Sequence, residues 1–215
     1  MLSSVQRYFR DIAMLAPVTA PLPAFTAVLF GLSGCLVDFG AQARNAREPS
    51  DEHSLITPGA LKALQRLHQQ GIPCAWLDEL PENVATRIAQ SVSHLIRASR
   101  TTETRWPAPD ACWQALMTLN VSQLDGCVLV SGEPDLLKAG LNAGLWTVGL
   151  ASCGSLCGLS PSQWQALTDA EREHRRGQAT LQLYALGVHS AIDHLGELES
   201  CLADIALRRT KGEKP

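Results

Sequence analysis

The sequence predicts a three-layer α/β/α fold with a Rossmann-like, mostly parallel sheet, and three observations support this prediction. Short apolar runs bounded by turn residues, typical of buried strands, lie at 27–30, 72–77, 127–130 and 145–150. Stretches with helical apolar spacing separate these runs, and such alternation favours βαβ units. The chain has 215 residues, of which 46% are apolar, which is enough for one domain with a full core.

Composition and charge exclude several classes of protein. The formal net charge is −3, so we expect no nucleic-acid partner. No apolar run has the roughly 18 residues of a membrane span, so we expect no membrane partner. The seven cysteines are odd in number and several lie in apolar runs, which favours free thiols in a reducing compartment. We therefore expect a cytoplasmic protein.

Residues 1–24 form a predicted N-terminal helix followed by a proline-rich linker. Apolar side chains share one face of the helix predicted over 2–15, and they are Leu2, Val5, Tyr8, Phe9, Ile12 and Leu15. Prolines at positions 17, 21 and 23 then favour an extended chain. Two alternatives remain for the helix: it packs on its own domain, or it forms a homodimer contact.

The segment 26–40 contains the first strand and the loop in which we expect the chemistry. In parallel α/β proteins the carboxyl ends of the strands form the site. Here the strand runs into Gly31, Ser33, Gly34 and Cys35, and the first carboxylate is Asp38. The loop therefore offers small residues and one thiol, and it has no carboxylate before Asp38.

The remaining elements follow in order along the chain. A polar insertion at 41–57 precedes predicted helices at 57–70 and 82–93, with strands at 72–77 and 94–98. Beyond a proline-rich turn at 105–109 we predict four helices, which extend up to 119, over 136–142, over 162–186 and over 195–207. We predict three further strands, at 127–130, 145–150 and 187–193. We expect the tail at 208–215 to be disordered.

Four short segments carry a resemblance to a known family, and they read VDFG at 37–40, PAP at 107–109, GLNAGLWTVG at 140–149 and GVHSAID at 187–193. In this order and spacing they resemble the haloacid dehalogenase-like hydrolase superfamily, and within it the phosphonoacetaldehyde hydrolases. The resemblance covers about residues 25–207. It implies a core of haloacid dehalogenase type, in which 41–57 is a vestigial cap insertion.

Most functional residues implied by the resemblance are missing from the first loop. The family nucleophile is an aspartate, and its position is Gly31, which has no side chain to form a covalent intermediate. The next functional position, two residues on, is Ser33, and the family threonine is replaced by Cys35. A catalytic aspartate is therefore not expected here.

The later motif positions also depart from the family. The phosphate-binding hydroxyl falls on Asp78, whose carboxylate would repel phosphate. The family cation falls on Trp106, with Arg105 one residue away. The acidic pair that holds Mg²⁺ in the family falls on Gly132 and Leu136, although Glu133 and Asp135 lie one residue out of register. The family's cap also supplies a Schiff-base lysine, and 41–57 contains no lysine.

These departures favour a non-catalytic protein with a binding or regulatory role and no cofactor. The partner, a small molecule or a protein, stays open. The predicted degenerate pocket contains Gly31, Ser33, Gly34, Cys35, Asp78, Trp106, Gly132, Glu133 and Asp135. The alternative is a hydrolase with altered chemistry. Its nucleophile would be Cys35, or its strand-end acids Asp38, Asp78, Glu133 and Asp135 would bind a cation.

Overall fold

The computed structural model describes residues 24–46, 48–99 and 103–215. Six parallel strands form one sheet in the order β3-β2-β1-β4-β5-β6. Their bounds are β1 Ala27–Gly31, β2 Cys74–Leu77, β3 Arg97–Ala98, β4 Cys127–Ser131, β5 Trp146–Leu150 and β6 Ser190–Ile192. The predicted α/β class with a parallel sheet is confirmed.

Seven α-helices in the described residues cover the two faces of the sheet. They are α1 Ala60–Gln69, α2 Glu82–Ile88, α3 Asp110–Thr118, α4 Pro134–Asn142, α5 Pro161–Ala166, α6 Asp169–Leu186 and α7 Leu198–Thr210. Buried side chains of α1, α2 and α7 form one core with the sheet, while those of α3 and α4 form a second core on the opposite face. The result is the three-layer arrangement that the alternating pattern predicts.

Strand β1 lies at the centre of the sheet, between β2 and β4. Its side chains alternate between the two cores, so Val28 and Phe30 pack on one face and Ala27 and Leu29 on the other. All five residues of the strand are buried. The chain therefore leaves the sheet at Gly31, in the middle of the edge formed by the strand ends.

The helix predicted over 162–186 is two helices in the structure. Leu167 and Thr168 adopt extended backbone between α5 and α6. Thr168 caps α6, because its hydroxyl accepts from the amide of Glu171 and the Glu171 side chain accepts from the Thr168 amide. The capping box formed by Thr168 and Glu171 therefore starts a new helix within a stretch whose apolar spacing is helical throughout. The helix predicted over 82–93 is likewise shorter, ending at Ile88 before a 3₁₀ turn at Ala89–Ser91.

The predicted disorder of the tail is wrong for residues 208–210, because α7 continues to Thr210. Arg208 donates to the carbonyl of His189 and pairs with Glu213. Arg209 pairs with Asp125 at 2.6 Å and donates to the Ala24 carbonyl. These two arginines bind the end of the helix to the body of the domain.

The segment 41–57 contains two 3₁₀ turns, Gln42–Arg44 and Asp51–Ser54, and is held at both ends. At its start, the Asp38 carboxylate accepts from the amides of Gln42 and Ala43. At its end, Thr57 donates to the carbonyls of Cys35 and Leu36. The predicted N-terminal helix and linker at 1–23 lie outside the described residues. Among the helices in the described ranges, none has the length and apolar character needed to cross a membrane.

Candidate functional site at the strand ends

The end of β1 has no side chain at the position where the resemblance places the nucleophile. Gly31 faces Ser131, the last residue of the adjacent β4, and a Cβ added to Gly31 would lie 2.7 Å from the Ser131 hydroxyl oxygen. Ser131 is fully buried, and its hydroxyl accepts from the amide of Glu133. A neighbouring side chain therefore already fills the space that a side chain at position 31 would need.

Three glycines bring the loops after β1, β4 and β5 into backbone contact. A Cβ on Gly34 would lie 2.7 Å from the Cα of Gly154, and a Cβ on Gly132 would lie 2.8 Å from that same atom. Both distances are shorter than any normal Cβ contact. Gly34 also has φ of +74°, a conformation that other residues rarely adopt. These loops close against each other and leave no room for side chains between them.

Asp38 lies on the inner side of the first loop, where its interactions are with the protein itself. It is 2% exposed and accepts a 2.6 Å hydrogen bond from the Ser33 hydroxyl, besides the two amides of 41–57. Its φ of +53° marks a tight turn. The Ser33 and Asp38 side chains therefore hold the loop together, which is a structural role for both.

Asp78, at the end of β2, has a side chain that is 1% exposed. One carboxylate oxygen accepts from the Ser33 amide at 2.9 Å, and the other accepts from the amides of Glu79 and Leu80. Burial raises the pKa of Asp78, while the Arg44 guanidinium and the three amides act in the opposite direction. The carboxylate thus joins the loop after β1 to the loop after β2.

Arg44 is the functional residue that sequence reasoning missed, and it occupies the centre of the predicted pocket. Its guanidinium donates to the Asp78 carboxylate at 2.9 Å and lies 3.5 Å from that of Glu133. The guanidinium carbon is 5.2 Å from the centroid of the Trp106 ring, within cation–π range. Arg44 comes from the polar segment 41–57, where the absence of apolar periodicity gave no signal for a structured residue.

Glu133 and Trp106 complete the environment of this arginine. Burial raises the pKa of Glu133, and the opposing effect of Arg44 is smaller. The amide of Trp106 donates to the Glu79 carboxylate at 2.6 Å, which fixes the loop, and its ring also packs on the second core. The side chains of Arg44, Asp78, Glu133 and Trp106, named here the Arg44 cluster, therefore fill the strand-end pocket with mutually paired groups.

The two remaining candidates, Cys35 and Asp135, are not members of this cluster. Cys35 is completely buried, and its thiol contacts the Val130 carbonyl at 3.4 Å. Burial, and then the neighbouring Cys153, raise its pKa well above the usual thiol range, the reverse of what a nucleophile needs. Asp135 lies exposed on α4 and pairs with Lys138 at 3.3 Å. Its carboxylate nevertheless acts on the neighbouring Glu133, whose pKa it helps to raise.

An open cleft of about 630 Å³ lies beside the Arg44 cluster, between 41–57 and the α5–α6 pair. Its apolar lining includes Phe39 and Trp164, whose ring centroids are 5.9 Å apart, together with Leu55 and Ile56. Leu55 is 54% exposed. The charged groups at the cleft are paired within the protein, Arg172 with Asp169 and Arg176 with Glu173 and Asp193.

Comparison with known proteins places this geometry in a family. The phosphonoacetaldehyde hydrolase of Bordetella pertussis is 31% identical over 171 residues, which cover 76% of this chain and 62% of that protein. A solved structure that is 70% identical covers 89% of this chain and 100% of its own, with a TM-score of 0.88. The chain is therefore similar in sequence to the phosphonoacetaldehyde hydrolases, and it shares the fold of the haloacid dehalogenase-like hydrolases.

The superfamily fold is also seen in a more distant relative. A phosphonoacetaldehyde hydrolase-like protein from Oleispira antarctica is 20% identical, covers 90% of this chain and 97% of its own, and has a TM-score of 0.80. No protein-family profile matches the chain. The chain spans less than two thirds of the length of the curated hydrolase from Bordetella pertussis.

The residues present do not fit the Mg²⁺ ion that the superfamily resemblance implies. Positions 31 and 132 are glycines, so neither supplies an oxygen ligand from a side chain. The carboxylates of Asp78 and Glu133 lie in the described pocket, and both already pair with Arg44. Within the described residues there is also no group of three or more His, Cys, Asp or Glu side chains placed to hold a metal.

Proposed function

We propose that this chain is a non-catalytic member of the superfamily that serves a binding or regulatory role. The observation that carries the proposal is the Arg44 cluster. An arginine from 41–57 occupies the pocket at the strand ends and pairs with two carboxylates there. A substrate phosphoryl group would have to displace this arginine from Asp78 and would then meet the carboxylate.

The two glycines at motif positions support the same conclusion. A side chain at position 31 meets Ser131, and a side chain at position 132 meets the backbone of Gly154. The acids that the resemblance places at positions 31 and 132 are therefore absent, and neighbouring atoms occupy the space that their side chains would need. Restoring the chemistry would require changes in several loops together.

The alternative function, a hydrolase that depends on Cys35, has less support. A catalytic thiol must reach its substrate and ionise near neutral pH. Cys35 is fully buried and its pKa is raised by that burial. Nδ1 of the half-buried His189 ring accepts from the Thr147 amide and also contacts the Thr147 hydroxyl.

The binding role is assigned to the open cleft beside the Arg44 cluster. Because the charges at its edge are already paired, the apolar side chains that line the cleft are the free contacts. Leu55 and Ile56 are exposed, and Trp164 is half-buried. Such a surface fits a small, largely apolar molecule or an apolar side chain of a protein partner. The seven free cysteines support a cytoplasmic setting for this binding.

An activity screen tests the absence of catalysis. The purified 215-residue chain is assayed with Mg²⁺ against phosphonoacetaldehyde and a panel of phosphomonoesters, beside Cys35→Ala and Asp135→Ala variants. We expect no turnover above the background of the buffer. Turnover that disappears in either variant would contradict the proposal, whereas turnover shared equally by all three proteins would identify a contaminant.

A separate experiment tests the cleft with a fluorescent apolar probe, 8-anilinonaphthalene-1-sulfonate. We expect the probe to bind the wild-type protein and to bind Trp164→Ala at least about fivefold more weakly, because the half-buried indole that lines the cleft is lost. Trp113→Ala is the matched control, since Trp113 is an exposed tryptophan outside the cleft. Equal probe binding by all three proteins would reject the cleft as the binding surface.

A further inference from the structure

An apolar groove lies between α1 and α7. It is next to the cleft, because Gly59 and Leu195 line the groove and the adjacent Pro58 and His194 line the cleft. Its volume is about 640 Å³. The floor is formed by the buried side chains Leu67, Leu198 and Leu202, with Ala63 and Ile72 at the sides. Helix pairs in a three-layer fold normally bury such a surface against another element. Within the described residues nothing covers it.

The chain enters the described structure at this groove. Ala24 and Phe25 both line it. The ring of Phe25 lies under the Arg209 guanidinium, 5.4 Å from its carbon, and the Ala24 carbonyl accepts from Arg209. The residues that precede position 24 are therefore delivered directly to the groove, with their point of attachment fixed by α7.

The preceding residues have the pattern of a helix that docks in a groove. Leu2, Val5, Phe9 and Ile12 recur at the spacing of one helical face. A helix over 2–15 would be about 21 Å long, close to the length of about 20 Å of the thirteen-residue α7. The eight residues 16–23 span up to about 26 Å when extended, so the helix can turn back and lie along the groove.

We propose that the N-terminal segment of this chain docks in the α1–α7 groove through the face formed by Leu2, Val5, Phe9 and Ile12. The short tether gives the segment a millimolar effective concentration at its own groove, which favours it over a second copy of the chain. This interaction surface is independent of the proposed loss of catalysis, because no member of the Arg44 cluster lines the groove.

The test compares hydrogen exchange in the 215-residue chain with that in four single variants, each of which introduces one glutamate. Phe9→Glu alters the proposed docking face, and Ala203→Glu alters an exposed position in the groove. Gln6→Glu and Gln65→Glu are matched controls, because Gln6 is off the apolar face and Gln65 is an exposed residue of α1 outside the groove.

We expect the amides of α1 and α7 to exchange about tenfold faster in Phe9→Glu and Ala203→Glu than in wild type, because undocking removes local protection. The controls should stay within about twofold of wild type, and the double variant Phe9→Glu/Ala203→Glu should match the single variants. Unchanged exchange in both test variants would overturn the proposal. So would faster exchange that extends to β4 and β5, because that pattern means global destabilisation.

Sedimentation of the same proteins separates docking within one chain from docking between two. A wild-type monomer with the exchange pattern above supports the proposal. A wild-type dimer that dissociates in Phe9→Glu would overturn it, because the groove would then hold the segment of a second copy.

Discussion

The strand-end pocket and the neighbouring cleft are built partly from the same segment, 41–57, yet one is closed and the other open. In the pocket, Arg44 is paired with carboxylates on both sides. In the cleft, Leu55 and Ile56 are exposed and have no such partners. The segment therefore contributes charge to fill one cavity and apolar surface to line the other.

Under the proposed non-catalytic role, this contrast shows how the two regions would divide the work. In the closed pocket the charged groups are satisfied internally, as in the Ser33–Asp38 and Arg44–Asp78 hydrogen bonds. Surface that remains unpaired, as in the cleft, is the surface available to a ligand. Four predictions test whether the closed and open regions differ in this way.

The largest effect is expected from Gly132→Asp, which restores an acid at the closed end of β4. The new Cβ would lie 2.8 Å from the Cα of Gly154, and backbone atoms must move to admit it. We expect a loss of at least about 3 kcal/mol in the free energy of unfolding, measured by urea denaturation. No Mg²⁺ binding should appear by calorimetry.

Gly177→Ala is the control for that experiment, since nothing lies within 4 Å of the added Cβ and the position is within α6. It should stabilise the protein by about 0.5–1 kcal/mol. A Gly132→Asp variant as stable as wild type would show that the loops are not tightly closed.

The next effect is expected from Arg44→Met, which leaves the buried Asp78 carboxylate without its cation. Arg44 is partly exposed, so we expect a loss of about 2 kcal/mol at neutral pH. The loss should shrink in acid, because protonated Asp78 needs no counter-charge. Arg87→Met is the matched control; its partner Asp51 is 3.6 Å away and fully exposed, so the change should be below about 0.5 kcal/mol.

A smaller, pH-dependent effect is expected from Glu133→Gln. Burial raises the pKa of Glu133, so above its ordinary value of 4.5 the folded protein still holds the proton that the unfolded chain has released. Wild-type stability should therefore fall relative to the variant as the pH rises through this window. Thermal denaturation of both proteins between pH 4 and 8 measures the difference. A constant difference across that range would contradict the raised pKa.

The smallest effect on stability is expected from Leu55→Ser in the open cleft. Leu55 is already 54% exposed, so the free energy of unfolding should change by less than about 0.5 kcal/mol. Binding of 8-anilinonaphthalene-1-sulfonate should nevertheless weaken, as measured by fluorescence titration. A large loss of stability would show that Leu55 supports the fold and that the cleft is less open than described.

Much of the fold was predictable from sequence, whereas the centre of the site was not. Apolar runs such as 127–130 and 145–150 have a pattern typical of buried strands, and both predicted strands are present in the structure. Gly31 and Asp78 were found because the resemblance fixed their positions. Arg44 was missed because a cation in a polar segment has the same sequence signature whether it is solvated or paired. Its role depends on contacts across 34 residues of chain.

The attachment of 41–57 at both ends has a consequence for how this protein tolerates changes in length. Asp38 fixes the start of the segment and Thr57 its end, so the segment is a tether between two anchor points that stay in place when its length changes. Lengthening such a tether adds little entropic cost, roughly 0.6 kcal/mol for each doubling. The loop is thus a natural entry point for an inserted domain, which would leave Arg44 and the cleft undisturbed.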